Sequence, residues 1–143
     1  MRISTKGRYG LAAMTVLGRE KDCPKTAAAT ANSLGVSKIY LEQVFALLKS
    51  AGLVQTQKGA AGGYFVSKEP VSITALEILK ALEPALFEPA ENGLQGAAQN
   101  LGACINQTVF TPLDRAVEEI LVKLTLQDLI DKAGRDTEYM FYI

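Results

Sequence analysis

The sequence predicts a mainly α-helical fold carrying one small β-hairpin. Three observations predict it. Apolar residues recur at three- and four-residue spacing through most of the chain, Ser or Thr caps precede the periodic stretches, and one segment of strand character turns back through a glycine-rich tip. With 143 residues, 48% of them hydrophobic and 21% charged, the chain has room for one core and is too apolar to be disordered.

The first helix spans Thr5 or Lys6 to Glu20, with Tyr9, Ala13, Val16 and Leu17 on its buried stripe. Asp22-Cys23-Pro24 breaks it, because proline cannot continue a helix. Thr26 caps a short Ala-rich helix over 27–34, and Gly35 turns the chain. Ser37 then caps a third helix over 38–51, whose apolar stripe is Leu41, Val44, Leu47 and Leu48. Residues 53–57 and 64–66 read as two strands joined by Lys58-Gly59-Ala60-Ala61-Gly62-Gly63. A short helix, a glycine-led turn, a longer capped helix and a hairpin form the pattern of a winged helix-turn-helix.

Thr74 and Glu77 make a capping box for a helix ending at Leu82. Residues 84–109 read as a loop. Thr111-Pro112 then supplies a cap and a first-turn proline for a helix over 112–124, lined by Leu113, Val117, Ile120, Leu121 and Leu124. Thr125 starts a last short helix ending at Lys132, before Gly134. The expected organisation is a DNA-binding domain over 1–83, a linker or effector loop over 84–109, and a long dimerisation helix with a tail over 110–143. The leucine-rich face of that helix has little core left to cover it, so a seam with a second copy is expected.

The chain has no His, which removes Ser-His-Asp and Cys-His catalysis and the HExxH zinc site. The glycine-rich tip opens a strand, whereas a P-loop opens a helix. No enzyme is expected. The apolar stretch Leu11–Leu17 runs into Arg19-Glu20-Lys21-Asp22 without a small-residue cleavage site, and no stretch approaches the ~18 apolar residues of a membrane span. Two Cys at 23 and 104 make no secreted disulfide framework, so the reducing cytoplasm is expected.

Formal charge sums to zero but is divided. Residues 1–70 hold ten Lys/Arg against four Asp/Glu, and residues 71–143 hold five against eleven. A basic half suits a polyanion. Opposite the buried stripe of the third helix, Ser37, Lys38, Tyr40, Glu42 and Gln43 face outwards. Gln43 can bond adenine, Glu42 can accept from cytosine, and Ser37 can do either. The plainer reading of Glu42 is an ion pair with Lys38 or Lys49. Lys6, Arg8, Lys38 and Lys58 suit phosphate contacts, and the glycines of the tip allow close approach to a groove.

The stretches Met1–Gly10 (MRISTKGRYG), Tyr40-Leu-Glu-Gln43, Ala51-Gly-Leu-Val54 and Lys58–Tyr64 (KGAAGGY) together resemble the Rrf2 family of bacterial winged-helix transcription regulators. The resemblance covers about 1–83 well and 110–143 in outline. It implies a homodimer joined by the helix over 112–124, with operator contacts from Tyr40, Glu42, Gln43, Lys58 and Gly59. Members that carry an iron–sulfur cluster use three closely spaced Cys and a nearby His in the loop matching 84–109. Here that loop has Cys104 alone, with Asn92, Ala98 and Gln107 nearby. One thiolate cannot hold such a cluster, so no cofactor is expected.

The ending Tyr139-Met140-Phe141-Tyr142-Ile143 is unusually apolar for a terminus and needs cover, from its own dimer or from a partner's pocket. It is similar to the ending found in the family's cysteine-metabolism branch, which implies cysteine synthase as a partner. Cys23 lies between Lys21 and Lys25 and before a helix start, which lowers a thiol pKa and makes it a candidate redox switch; Asp22 opposes this, and an unreactive connector cysteine is the favoured reading. The principal expectation is a dimeric, DNA-binding repressor. The alternative is a regulatory subunit that acts on an enzyme through the tail without reading DNA. Binding that falls steeply with ionic strength distinguishes the first from the second.

Overall fold

The computed structural model describes residues 3–141, with side chains through Arg135. Its elements are α1 (Thr5–Arg19), α2 (Ala27–Leu34), α3 (Lys38–Ser50), β1 (Val54–Gln57), β2 (Gly63–Val66), α4 (Ala75–Leu82), α5 (Gln99–Ile105), a π-helical turn (Asn106–Phe110), α6 (Thr111–Lys123) and α7 (Leu126–Phe141). Short 3-10 turns occupy Pro70–Ser72, Pro84–Phe87 and Gly96–Ala98.

The helix starts are chemically marked. Thr26, Ser37 and Thr74 accept hydrogen bonds from the N–H groups of Ala29, Tyr40 and Glu77 at 3.0, 3.1 and 3.1 Å. Thr125 and Asp128 cap each other, Oγ1 accepting from the Asp128 N–H and the carboxylate from the Thr125 N–H, both at 3.0 Å. Each such bond satisfies an N–H that the helix itself leaves without a partner, worth about 1 kcal/mol. Between α2 and α3, Gly35 adopts φ 69°, where a side chain would be strained, and its N–H closes onto the end of α2.

The core lies where α1, α3 and α4 meet. Ala13, Met14 and Leu17 of α1, Leu41, Val44, Phe45 and Leu48 of α3, and Ile78 and Leu82 of α4 are at most 1% exposed. Val16 and Tyr9, expected on the α1 stripe, are half-buried. Leu47, expected on the α3 stripe, is exposed, and Phe45 fills the core in its place. The buried set 41, 44, 45, 48 keeps strict helical spacing, and position 47 falls on its flank.

The hairpin pairs antiparallel with Val54 opposite Val66 and Gln57 opposite Gly63. It is docked twice. Tyr64 stacks on Phe45 with centroids 4.3 Å apart, and it exchanges backbone bonds with Lys25 at 2.7 and 2.9 Å, adding a rung from the α1–α2 connection. Gly63 passes so close that a Cβ there would sit 2.5 Å from the Lys25 carbonyl.

Two expectations for the second half are corrected. Residues 84–109 are not a loop throughout: the backbone is helical from Gln99, and Ile105, Asn106, Phe110 and Thr111 all hold α geometry. Thr111 is therefore no cap, and the helix runs over residues 99–123 with Pro112 inside it. A proline removes one helical hydrogen bond and crowds the preceding turn; the widened π turn directly before it provides room. Likewise α7 continues past Lys132, because Gly134 holds no positive φ and costs only about 1 kcal/mol in a helix.

The 84–98 segment is pinned by amides. Asn92 donates to the Gln99 carbonyl at 3.1 Å, and Asn106 to the Ala90 carbonyl at 3.2 Å. The long helix joins the body at its last turns, where Lys80 of α4 meets Glu118 at 3.7 Å. Truncating Phe45 to Ala empties the centre of the core and unseats the hairpin. We expect a loss of ~3–5 kcal/mol in unfolding free energy, measured by chemical denaturation.

Candidate nucleic-acid interface

Packing of α3 by Leu41, Val44, Phe45 and Leu48 turns the opposite strip outwards. Ile39, Glu42, Gln43 and Ala46 are exposed along it, and Ser37 and Lys38 are exposed at its start. A cleft opens between this first turn, the start of α2 and the hairpin, bordered by Thr26, Lys38, Glu42, Gln57, Gly59 and Tyr64. Lys58 and Gly59 are exposed at the tip. The cleft thus brings together Lys38, Glu42 and Gly59, and Ser37, Gln43 and Lys58, their neighbours in sequence, are exposed.

Glu42 pairs with Lys38 at 3.6 Å, with both side chains about half exposed. A surface pair of this kind contributes at most about 1 kcal/mol, so breaking it costs little and leaves both groups open to other partners. Ser37 spends its hydroxyl on the Tyr40 N–H. Lys6 and Arg8 are exposed on the first turns of α1. Arg8 borders a groove shared with Arg19, Leu129 and Ala133, so it stands apart from the cleft.

Tyr40 departs from its expected outward position. Its ring meets Tyr9 edge-on at 5.9 Å, and its hydroxyl is buried without a hydrogen-bond partner. Tyr40 follows the first turn toward α1 because its neighbours Leu41 and Val44 must face the core. Among the described residues, Oε2 of Glu83 is likewise buried without a partner, and Oε1 of that carboxylate accepts the Ser4 N–H at 2.8 Å. Burial, then Tyr9 and the Glu83 charge, push the Tyr40 phenol above its ordinary value of 10.0. A group raised in the folded state contributes stability that is full below its unfolded value and is lost as pH climbs through the folded one. Stability should therefore fall with pH above about 10 in the wild type and less steeply in Tyr40→Phe, read from denaturation midpoints across that range.

Cys23 is exposed in the α1–α2 connection. The two lysines expected to activate it are engaged elsewhere, Lys21 with Glu69 and Lys25 with Glu20 at 3.2 Å. Around Cys104, the donors needed for a cluster are lacking. The thiol lies 3.7 Å from the Thr108 hydroxyl, Asn92 and Asn106 are occupied with backbone carbonyls, and no group of three His, Cys, Asp or Glu able to hold a metal occurs among the described residues. These residues do not fit an iron–sulfur cluster. Along the long helix, Leu113, Ile120 and Leu124 are exposed and Val117 and Leu121 half-buried. Tyr142 and Ile143 of the expected partner-binding tail lie outside the described residues, as do the side chains of Tyr139, Met140 and Phe141.

Reasoning from sequence missed two exposed apolar residues. Phe110 extends the apolar edge of the long helix to 110, 113, 117, 120 and 124, a three-four repeat hidden by reading Thr111 as a helix start. Ile39 is 70% exposed, and its position on the polar side of α3 was already present in the helical spacing.

A capped helix held outward beside a glycine-tipped hairpin defines a winged helix-turn-helix. The Rrf2 family, described as iron-dependent transcriptional regulators, matches residues 3–132. The chain belongs to this family, whose relatives are DNA-binding transcriptional regulators and not enzymes. It is 38% identical to the HTH-type transcriptional regulator CymR of Bacillus subtilis (strain 168), over the whole of both chains. It is 30% identical to the regulator IscR of Yersinia pseudotuberculosis, over 92% of this chain and 80% of that one. Among solved structures, CymR (YrzC), the global cysteine regulator of B. subtilis, superposes with a TM-score of 0.76 at 34% identity, covering 92% of this chain and 98% of the other. T. potens IscR superposes at 0.74 with 31% identity, covering 93% and 88%. No helix among the described residues is long and apolar enough to cross a membrane.

Proposed function

We propose that this regulator works as a cytoplasmic homodimeric repressor of cysteine and sulfur metabolism genes, without an iron–sulfur cluster. The observation that carries the DNA-reading role is the exposed strip of α3 bordering the same cleft as the hairpin. In this reading Glu42 and Gln43 meet base edges, Ser37 supports the helix start, and Lys6, Arg8, Lys38 and Lys58 meet phosphates. Gly59 lets the tip approach the backbone closely.

Dimerisation is supported by the edge of Phe110, Leu113, Ile120 and Leu124, which the chain's own core leaves exposed, with Val117 and Leu121 half-buried beside them. That edge continues into an apolar hollow walled by Leu11, Ile78, Leu79 and Leu129. Twofold pairing would place two α3 helices for two half-sites. The cysteine-metabolism assignment is supported by full-length similarity to a named cysteine regulator. Cysteine synthase is the co-repressor implied by the resemblance of Tyr139–Ile143 to the ending of the family's cysteine-metabolism branch. Cluster-free operation is supported by the donor set around Cys104.

Fluorescence anisotropy on labelled duplexes tests the roles. Gln43→Ala should cost ~1–3 kcal/mol on a selected operator and relax its sequence preference. Lys58→Ala should weaken every duplex alike and lower the salt slope by about 1. Equal losses from both variants on operator and random DNA would contradict the assignment. Ile120→Asp should halve the particle mass in sedimentation and reduce operator affinity more than tenfold, since one half-site then binds alone.

A further inference from the structure

Ile39 is the most exposed of the large hydrophobic residues described, at 70%. It sits in the first turn of α3, two residues after the cap. Its neighbours one turn along the same strip are Glu42 and Gln43, and Ala46 follows them, all exposed. Leaving an isoleucine in water forgoes burial worth ~1.5–3 kcal/mol, and its β-branched side chain brings no helix-forming advantage over its neighbours. Nothing in the chain's own core requires it: Leu41, Val44, Phe45 and Leu48 close the opposite face completely.

The place matters as much as the exposure. In a helix-turn-helix the residues at the start of the third helix are the ones that reach base edges. The only apolar feature a base presents in the major groove is the thymine 5-methyl, and an aliphatic side chain is its natural contact. Glu42 and Gln43, three and four positions on, lie on the same face and carry the hydrogen-bonding groups for neighbouring bases. We infer that Ile39 is a specificity-determining residue that covers a thymine methyl in each half-site, next to the bases met by Glu42 and Gln43. The inference rests on the DNA-reading role proposed above and deepens it. The shared chemistry is a methyl on C5 of a pyrimidine, so 5-methylcytosine would offer the same contact.

Deletion of the methyl, without any other change to the duplex, tests this. Duplexes are selected from a random pool by the full-length wild-type protein. Each half-site thymine is then replaced singly by deoxyuridine, and Kd is measured at fixed salt for the wild type and for Ile39→Ala. At one thymine the loss of the methyl should weaken the wild type about fourfold, the factor that corresponds to ~0.8 kcal/mol for one buried methyl-sized group. The same replacement should leave Ile39→Ala unchanged, and Ile39→Val should keep part of the effect. Putting 5-methylcytosine at the cytosine of a thymine-to-cytosine variant should restore affinity to the wild type only. An unchanged melting temperature for Ile39→Ala confirms that the exposed side chain supports no core.

Three results overturn the inference. Deoxyuridine tolerated by the wild type at every position removes the methyl contact. A deoxyuridine penalty that persists in full in Ile39→Ala assigns it to another residue. Loss of the dimer in Ile39→Ala, with deoxyuridine silent, makes the residue part of a protein interface instead. If the wild type selects no sequence and its binding ignores salt, the DNA-reading role itself falls, and that result is distinct from the other three.

Discussion

Burial of Leu41, Val44, Phe45 and Leu48 sets the rotation of α3 about its own axis, and everything this protein can present to a duplex follows from that rotation. A helix turns 100° per residue, so sealing one face against α1 and α4 leaves no freedom in what the other face shows. Ile39, Glu42, Gln43 and Ala46 are outward because their neighbours cannot be. Tyr40, between the two faces, follows the core and lays its ring against Tyr9. The hairpin is bound to the same anchor, since Tyr64 stacks on Phe45. One aromatic pair therefore couples the position of the hairpin to the rotation of α3.

The second half of the chain obeys a different economy. Residues 99–123 form a long helix that touches the body mainly through α4 and keeps an apolar edge in view. Such an edge is not a core in waiting, because α1, α3 and α4 already close theirs. The acidic excess of residues 71–143 sets this half against the basic half, whose charge suits a polyanion. Side-chain amides of Asn92 and Asn106 clasp the Gln99 and Ala90 carbonyls and pin the segment that leads into this helix.

Legibility differed between the halves for physical reasons. In residues 5–66 each helix start has a Ser or Thr whose bond is local, and each stop has a breaker, so the boundaries could be read nearly to the residue. Thr111-Pro112 carries the same signal falsely, because a proline in the first turn of a helix and a proline after a widened turn look alike in sequence. Gly134 misled in the same way, since glycine weakens a helix without ending it. Tyr40 could not be placed from periodicity, which cannot tell a flank position that leans on a neighbouring helix from one that faces water.

Local chemistry along the chain determined the helix-turn-helix, the glycine-tipped wing, the absence of histidine chemistry and the division of charge. These depend on caps, breakers and residue types, whose energies act within a few positions. Tertiary structure alone decided that Phe45 and not Leu47 fills the core, that Tyr40 turns inward against Tyr9, that both lysines flanking Cys23 are paired, and that the long helix begins at Gln99. Tyr40 and Lys21 depend on partners far away in sequence, Tyr9 and Glu69, and a side chain's surroundings are a property of the packed chain that no local pattern contains.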